Sequence, residues 1–201
     1  LLATERGLAL SPLPAARREV EQIAKLFGGS LVFLDEQATE EQAKTLAPRA
    51  RVLHFATHGL LDERLPLHSG LALAIPEAAT SGPENGLLQA WEIFETLRLD
   101  ADLVTLSACD TALGQDAGGE GILGLTRAFQ FAGARSVLST LWSVADESTP
   151  ELMRRFYTHL QAGQSKDESL RQAQIELLRT KDRDLAHPYR WAGFQLYGGW
   201  Q

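Results

Sequence analysis

The runs 51–56, 103–107 and 136–141 are apolar on both faces of an extended chain, and stretches with helical periodicity separate them. A strand that is apolar on both faces has to be covered on both faces. A mostly parallel sheet packed between helices does this. The rest of the chain fits the same alternation. A helix is predicted over 15–27, behind Pro14 and closed by Gly28-Gly29, followed by a short strand at 31–34. Residues 39–46 form a second helix, with Thr39 and Gln42 spaced for a capping box. Strand 51–56 runs into Thr57-His58-Gly59, and another strand follows at 70–75. Residues 76–86 form a polar loop and 87–97 a helix. Strand 103–107 ends at Ala108-Cys109-Asp110, with a Gly-rich loop and a helix over 122–131 behind it. Strand 136–141, helices 148–160 and 166–179, and a last strand at 191–196 complete the order. The expected architecture is a three-layer α/β sandwich. In such sheets sites form at the carboxyl ends of strands.

Composition narrows the function classes. Hydrophobic residues are 44% and charged residues 22% of 201, the balance of an ordinary globular domain. The net charge of −7 argues against non-specific nucleic-acid binding, which needs basic surface to neutralise phosphates. No apolar run reaches the length of a membrane span. The single methionine is Met153 and the chain opens Leu1-Leu2-Ala3, so one domain over 1–201, taken from a longer polypeptide, is expected. The one cysteine excludes an internal disulfide and a multi-cysteine zinc site, and fits a reducing, cytoplasmic setting.

That cysteine and one histidine carry the chemistry. A thiol attacks a carbonyl only as thiolate, and a neighbouring imidazole can take its proton. His58 and Cys109 follow two strands of the same sheet, which can bring them together at one edge. The N–H groups of Gly59 and Cys109 are candidates for an oxyanion hole. Spacing alone leaves open a buried cysteine and an unrelated loop histidine.

Four motifs occur in order: His54-Phe55-Ala56-Thr57-His58-Gly59, Leu106-Ser107-Ala108-Cys109-Asp110-Thr111-Ala112, Gly119-Glu120-Gly121-Ile122-Leu123-Gly124-Leu125, and the stretch from Ala132-Gly133-Ala134 to Leu141-Trp142-Ser143-Val144-Ala145-Asp146. Together they resemble the CHAT domain family. The resemblance implies a caspase-hemoglobinase-like fold, a Cys-His dyad at Cys109 and His58, association with tetratricopeptide (TPR) repeats, and a bacterial setting. The separation of His58 and Cys109, about 50 residues, also matches that of caspases. Only the Ala-Cys pair of the caspase pentapeptide is kept, so aspartate specificity is not implied.

Other residues carry two readings each. His54, four residues before His58, could belong to a metal pair, but it sits in an apolar strand and reads better as a core histidine. Gly119-x-Gly121-x-x-Gly124 spells a dinucleotide fingerprint, yet some ten residues separate it from the strand before it, where a tight turn is required. A packed helix start beside Cys109 is the plainer role. Asp146 and Glu147 follow strand 136–141, where a carboxylate could pair with a substrate Arg or Lys, or could cap the next helix. Asp110 is a further substrate-binding candidate, or a loop tie.

The reading is a cysteine endopeptidase that needs no cofactor or metal. It cuts a protein or peptide after Arg or Lys, and is regulated by a partner or TPR region through the loops 76–86 and 114–121. The alternative is a catalytically silent caspase-like interaction or scaffolding module in bacterial signalling.

Overall fold

A computed structural model describes Leu10 and residues 12–75, 84–112, 119–142, 144 and 148–201, with the backbone alone at 108–112. The described strands are β1 (Val52–Leu61), β2 (Gly70–Ala72), β3 (Leu87–Gln89), β4 (Leu103–Ala112), β5 (Ser136–Thr140) and β6 (Phe194–Gly198). The α-helices are α1 (Pro14–Ala24), α2 (Glu40–Leu46), α3 (Ala90–Thr96), α4 (Glu120–Ala132), α5 (Thr149–Gln161) and α6 (Lys166–Leu178). The strands form one sheet in the order β3-β2-β1-β4-β5-β6. β1, β4 and β5 are parallel at its centre, while β2 and β6 run against them and β3 runs against β2. Four of the six strands therefore point the same way, and the expected mostly parallel sheet is present.

Alternation along the central strands builds two cores. Val104 and Leu106 of β4 and Val137 of β5 pack with Ile93 of α3 and with Leu125 and Phe129 of α4. Their neighbours Leu103 and Leu138 face the other way, onto Ile23 of α1, Met153 and Phe156 of α5, and Ala173 and Leu177 of α6. Because successive side chains of a strand point to opposite faces, both layers are held by the same strands. Each fully buried Leu, Ile or Phe contributes about 1.5–3 kcal/mol of apolar burial.

Element limits depart from the sequence expectation where tertiary pairing decides. Residues 31–34 are not a strand, and Leu31 is 73% exposed. An apolar run without a neighbouring edge has no ladder to join. β1 does not stop at Ala56 but continues to Leu61, because Gly59 and Leu60 pair with Leu71 and Gly70 of β2. Helix 87–97 divides into β3 and α3. Gln89 caps α3, and the Glu92 carboxylate accepts the Gln89 N–H at 3.0 Å. At α2 the Thr39 hydroxyl accepts the Gln42 N–H at 3.2 Å, which is one half of the expected capping box, while the Thr39 N–H donates to the Gln37 carbonyl instead of the Gln42 side chain.

An ionic clasp ties α2 to this edge. Lys44 reaches Glu40 at 2.6 Å, Glu92 at 2.9 Å and Glu84 at 3.3 Å. The buried Glu40 carboxylate also accepts the N–H groups of Asn85 (3.1 Å) and Gly86 (3.2 Å). Burial raises the Glu40 carboxyl from its ordinary 4.5 to about 7, with the Glu92 charge adding to the rise and Lys44 opposing it.

Candidate active site

β1 and β4 run in unbroken parallel register from Val52↔Leu103 to Leu61↔Ala112, and within that ladder His58 is opposite Cys109. Opposed positions in a parallel pair belong to the same face of the sheet. Leu53 and Phe55 pack in the α3/α4 core, whereas His54 bonds to Tyr157 of α5. Even-numbered positions of β1 therefore face α1, α5 and α6. The rungs His54–Thr105, Ala56–Ser107 and His58–Cys109 follow one another along that face. His58 is buried, with 5% of its surface exposed. β4 is in register with β5 only at Val104 and Thr105. From there to Ala112 its ladder, among the described residues, is with β1. The Cys109 position thus lies near the carboxyl end of a strand, where α/β sheets place their sites.

Two rungs before the pair lies a buried polar chain. His54 Nε2 is 2.8 Å from Glu19 Oε1 on α1, and His54 Nδ1 is 3.1 Å from the Tyr157 hydroxyl. That hydroxyl is 2.7 Å from Thr105 Oγ1 on β4. A Glu19 carboxylate only accepts, so Nε2–H donates to it and, in the neutral ring, Nδ1 accepts from Tyr157. Thr105 then donates to Tyr157. Complete burial of Tyr157 pushes its phenol well above the ordinary 10, which keeps it a neutral donor. His54 is therefore a core histidine with both ring nitrogens engaged, and no metal reading is needed for it. The sequence reading passed over Glu19, Thr105 and Tyr157. A signal existed for Glu19: it shares the i, i+4 stripe of Ala15 and Ile23, the buried face of α1.

The glycine motif has a packing role. A Cβ on Gly121 would fall 2.9 Å from Leu61 Cβ, and one on Gly124 would fall 2.7 Å from Pro66 O. These glycines let α4 lie against the end of β1 and the 3₁₀ turn Pro66–His68. Gly119 adopts φ 81°, a conformation that favours glycine. At the start of α4 the Glu63 carboxylate accepts the N–H groups of Glu120 (2.9 Å) and Gly121 (3.4 Å). It takes the place a phosphate would take at a nucleotide-binding helix.

Gly59 lies inside β1, opposite Leu71 on one side and Asp110 on the other. Asp110 is placed through its backbone in β4. Asp146 and Glu147 lie outside the described residues, as do 76–83 and 114–118 of the two expected regulatory loops.

A mostly parallel, helix-covered α/β sheet of this kind is compatible with a caspase-like fold. The CHAT domain model matches residues 3–199, and the chain belongs to that family. The family falls within the caspase-like peptidase superfamily. Two curated relatives are both named tetratricopeptide repeat protein 28. The mouse protein is 30% identical over 93% of this chain, which covers 9% of its length. The human protein is 28% identical over 93% of this chain, which covers 8% of its length. The chain thus spans less than a tenth of either relative, and an association of this domain with TPR proteins holds in both. Both are mammalian, and the bacterial setting gains no support from them. No described helix is long and apolar enough to cross a membrane.

Proposed function

We propose that the domain is a cysteine endopeptidase whose dyad is Cys109 and His58. The observation that carries this reading is the His58↔Cys109 rung of the β1–β4 ladder, and membership of a caspase-like family supports it. His58 takes the proton from the Cys109 thiol, and the thiolate attacks the scissile carbonyl carbon. The carbonyl oxygen gains negative charge and is met by the N–H groups of Gly59 and Cys109. Collapse of this intermediate breaks the C–N bond as the protonated His58 gives its proton to the leaving amine. Water, deprotonated by His58, then hydrolyses the thioester and restores the thiol.

Asp146, with Glu147 and Asp110 as further candidates, would supply a carboxylate for an Arg or Lys before the cut. A TPR region or regulatory protein would control access, in a cytoplasmic setting that the lone cysteine suits. The competing reading is a catalytically silent module. It draws on the relatives' names, which cite repeats and no activity. Fluorogenic peptides ending in Arg- or Lys-amide test the two. Hydrolysis that is lost in Cys109→Ala and in His58→Ala supports the dyad. Absence of turnover with the complete polypeptide favours the silent module.

A further inference from the structure

The α3/α4 side carries exposed arginines that, among the described residues, have no carboxylate partners, beside exposed aromatic rings. On the α5/α6 side Arg154, Arg155 and Arg171 each contact a carboxylate of Glu151, Glu176 or Glu168. On the α3/α4 side Arg98, Arg127 and Arg64 are exposed, and among the described residues none of them is in an ion pair. The Arg98 guanidinium instead donates to the carbonyls of Phe94 and Leu97.

Apolar surface lies among these arginines. Phe94 and Phe131 stack at 3.8 Å with their planes 16° apart, although they are 42% and 61% exposed. Trp91 precedes Phe94 by one turn and is 39% exposed. Its indole N–H donates to Gln89, whose amide donates to the His68 carbonyl. Leu65 and Leu67, both more than half exposed, flank Pro66, which lies against Gly124 one turn before Arg127. The 3₁₀ turn, α3 and α4 therefore present one continuous face. Contiguous exposed aromatic surface with a polar rim marks interaction sites, since covering it removes apolar area from water.

We infer that this face docks a protein segment carrying aliphatic anchors between carboxylates. The stacked rings form a rigid platform for the anchors. The unpaired guanidiniums, close to a surface that docking dehydrates, favour carboxylate partners. Glu95 is the one carboxylate on the exposed stripe of α3. A second copy of the chain is disfavoured because each copy carries a net charge of −7. Anionic lipid recognition usually draws on a denser basic cluster than three arginines. His58 and the Cys109 position lie on the opposite face of the sheet, so the inference stands apart from the peptidase reading.

The test uses a fluorescent helical peptide of about four turns with leucines along one face and glutamates on its flanks, titrated by anisotropy. Controls are the same peptide with lysine for glutamate, phosphatidylserine vesicles, and sedimentation of the protein alone. The glutamate peptide is expected to bind in a salt-sensitive way, and Phe131→Ser to weaken it by about ten-fold or more. The double variant Arg98→Glu/Arg127→Glu should transfer preference to the lysine peptide, with thermal unfolding confirming that each variant is folded. No binding of the glutamate peptide, equal binding of both peptides, or an unchanged preference after charge reversal overturns the inference. So does uptake by vesicles in place of the peptide, or a dimer that Phe131→Ser abolishes.

Discussion

His58 on β1 and Cys109 on β4 occupy one rung of a parallel ladder that stays in register from Val52 to Leu61. If His58 serves as the base, its presence must show in the thiol. The alkylation rate of Cys109 by iodoacetamide follows the thiolate fraction, and no second cysteine confuses the reading. Half-maximal rate is expected below the ordinary thiol value of about 8.5, with His58→Ala moving it up toward that value. An identical profile in both proteins removes His58 from the role.

The buried chain behind the dyad should be costly to interrupt. Tyr157→Phe keeps the ring and its edge contacts with Phe27 and Phe156, and removes only the hydroxyl. Thr105 and His54 Nδ1 then each lose a partner. The expected loss is about 1–3 kcal/mol, the cost of stranding buried polar groups, read from urea unfolding.

Glu40 gives a pH dependence with a defined sign. Its folded pKa of about 7 lies above the ordinary 4.5, so folding favours the protonated form. The stability this group contributes is complete below pH 4.5 and is lost as pH rises through about 7. In Glu40→Gln that decline disappears. The difference in stability between the two proteins should therefore change across this window, at no more than about 1.4 kcal/mol per pH unit. Denaturant unfolding at a series of pH values checks it.

The glycine motif separates packing from ligand binding. Gly124→Ala forces a methyl against the backbone of Pro66 and should destabilise by about 1–3 kcal/mol. Calorimetry with nucleotides should show no heat of binding to the parent protein. Binding that appears or strengthens on Glu63→Lys would instead place a phosphate site at the start of α4.

Much of this was legible in the sequence, for identifiable reasons. The sheet came from 103–107 and 136–141, because runs apolar on both faces leave few alternatives to a covered strand. His54 could be placed in the core because its neighbours are apolar. What escaped were decisions made between distant segments. The extension of β1 to Leu61 depends on β2 being at hand, and the division of 87–97 depends on Glu92 turning back to the Gln89 N–H. The Glu19–His54–Tyr157–Thr105 chain joins α1, β1, α5 and β4, so no local window contains it. On α1 the charged Glu19 is buried while its apolar neighbour Val20 is only half-buried, the reverse of what hydropathy suggests. The exposed face of α3 and α4 was hidden for the opposite reason. Trp91, Phe94 and Phe131 look like core residues until both helices are in place.

The central claim is that Cys109 acts as a nucleophile on a peptide carbonyl with His58 as its base. Its most direct test is to expose the protein to irreversible peptidyl ketones ending in Arg, Lys or Asp and to record the intact mass. The account predicts a single adduct from the Arg or Lys probe, absent in Cys109→Ala and His58→Ala, and shifted away from basic probes in Asp146→Ala. Iodoacetamide labelling of Cys109 with no adduct from any peptidyl probe, in the full-length protein as in the domain, would contradict it and leave the caspase-like scaffold as a binding module.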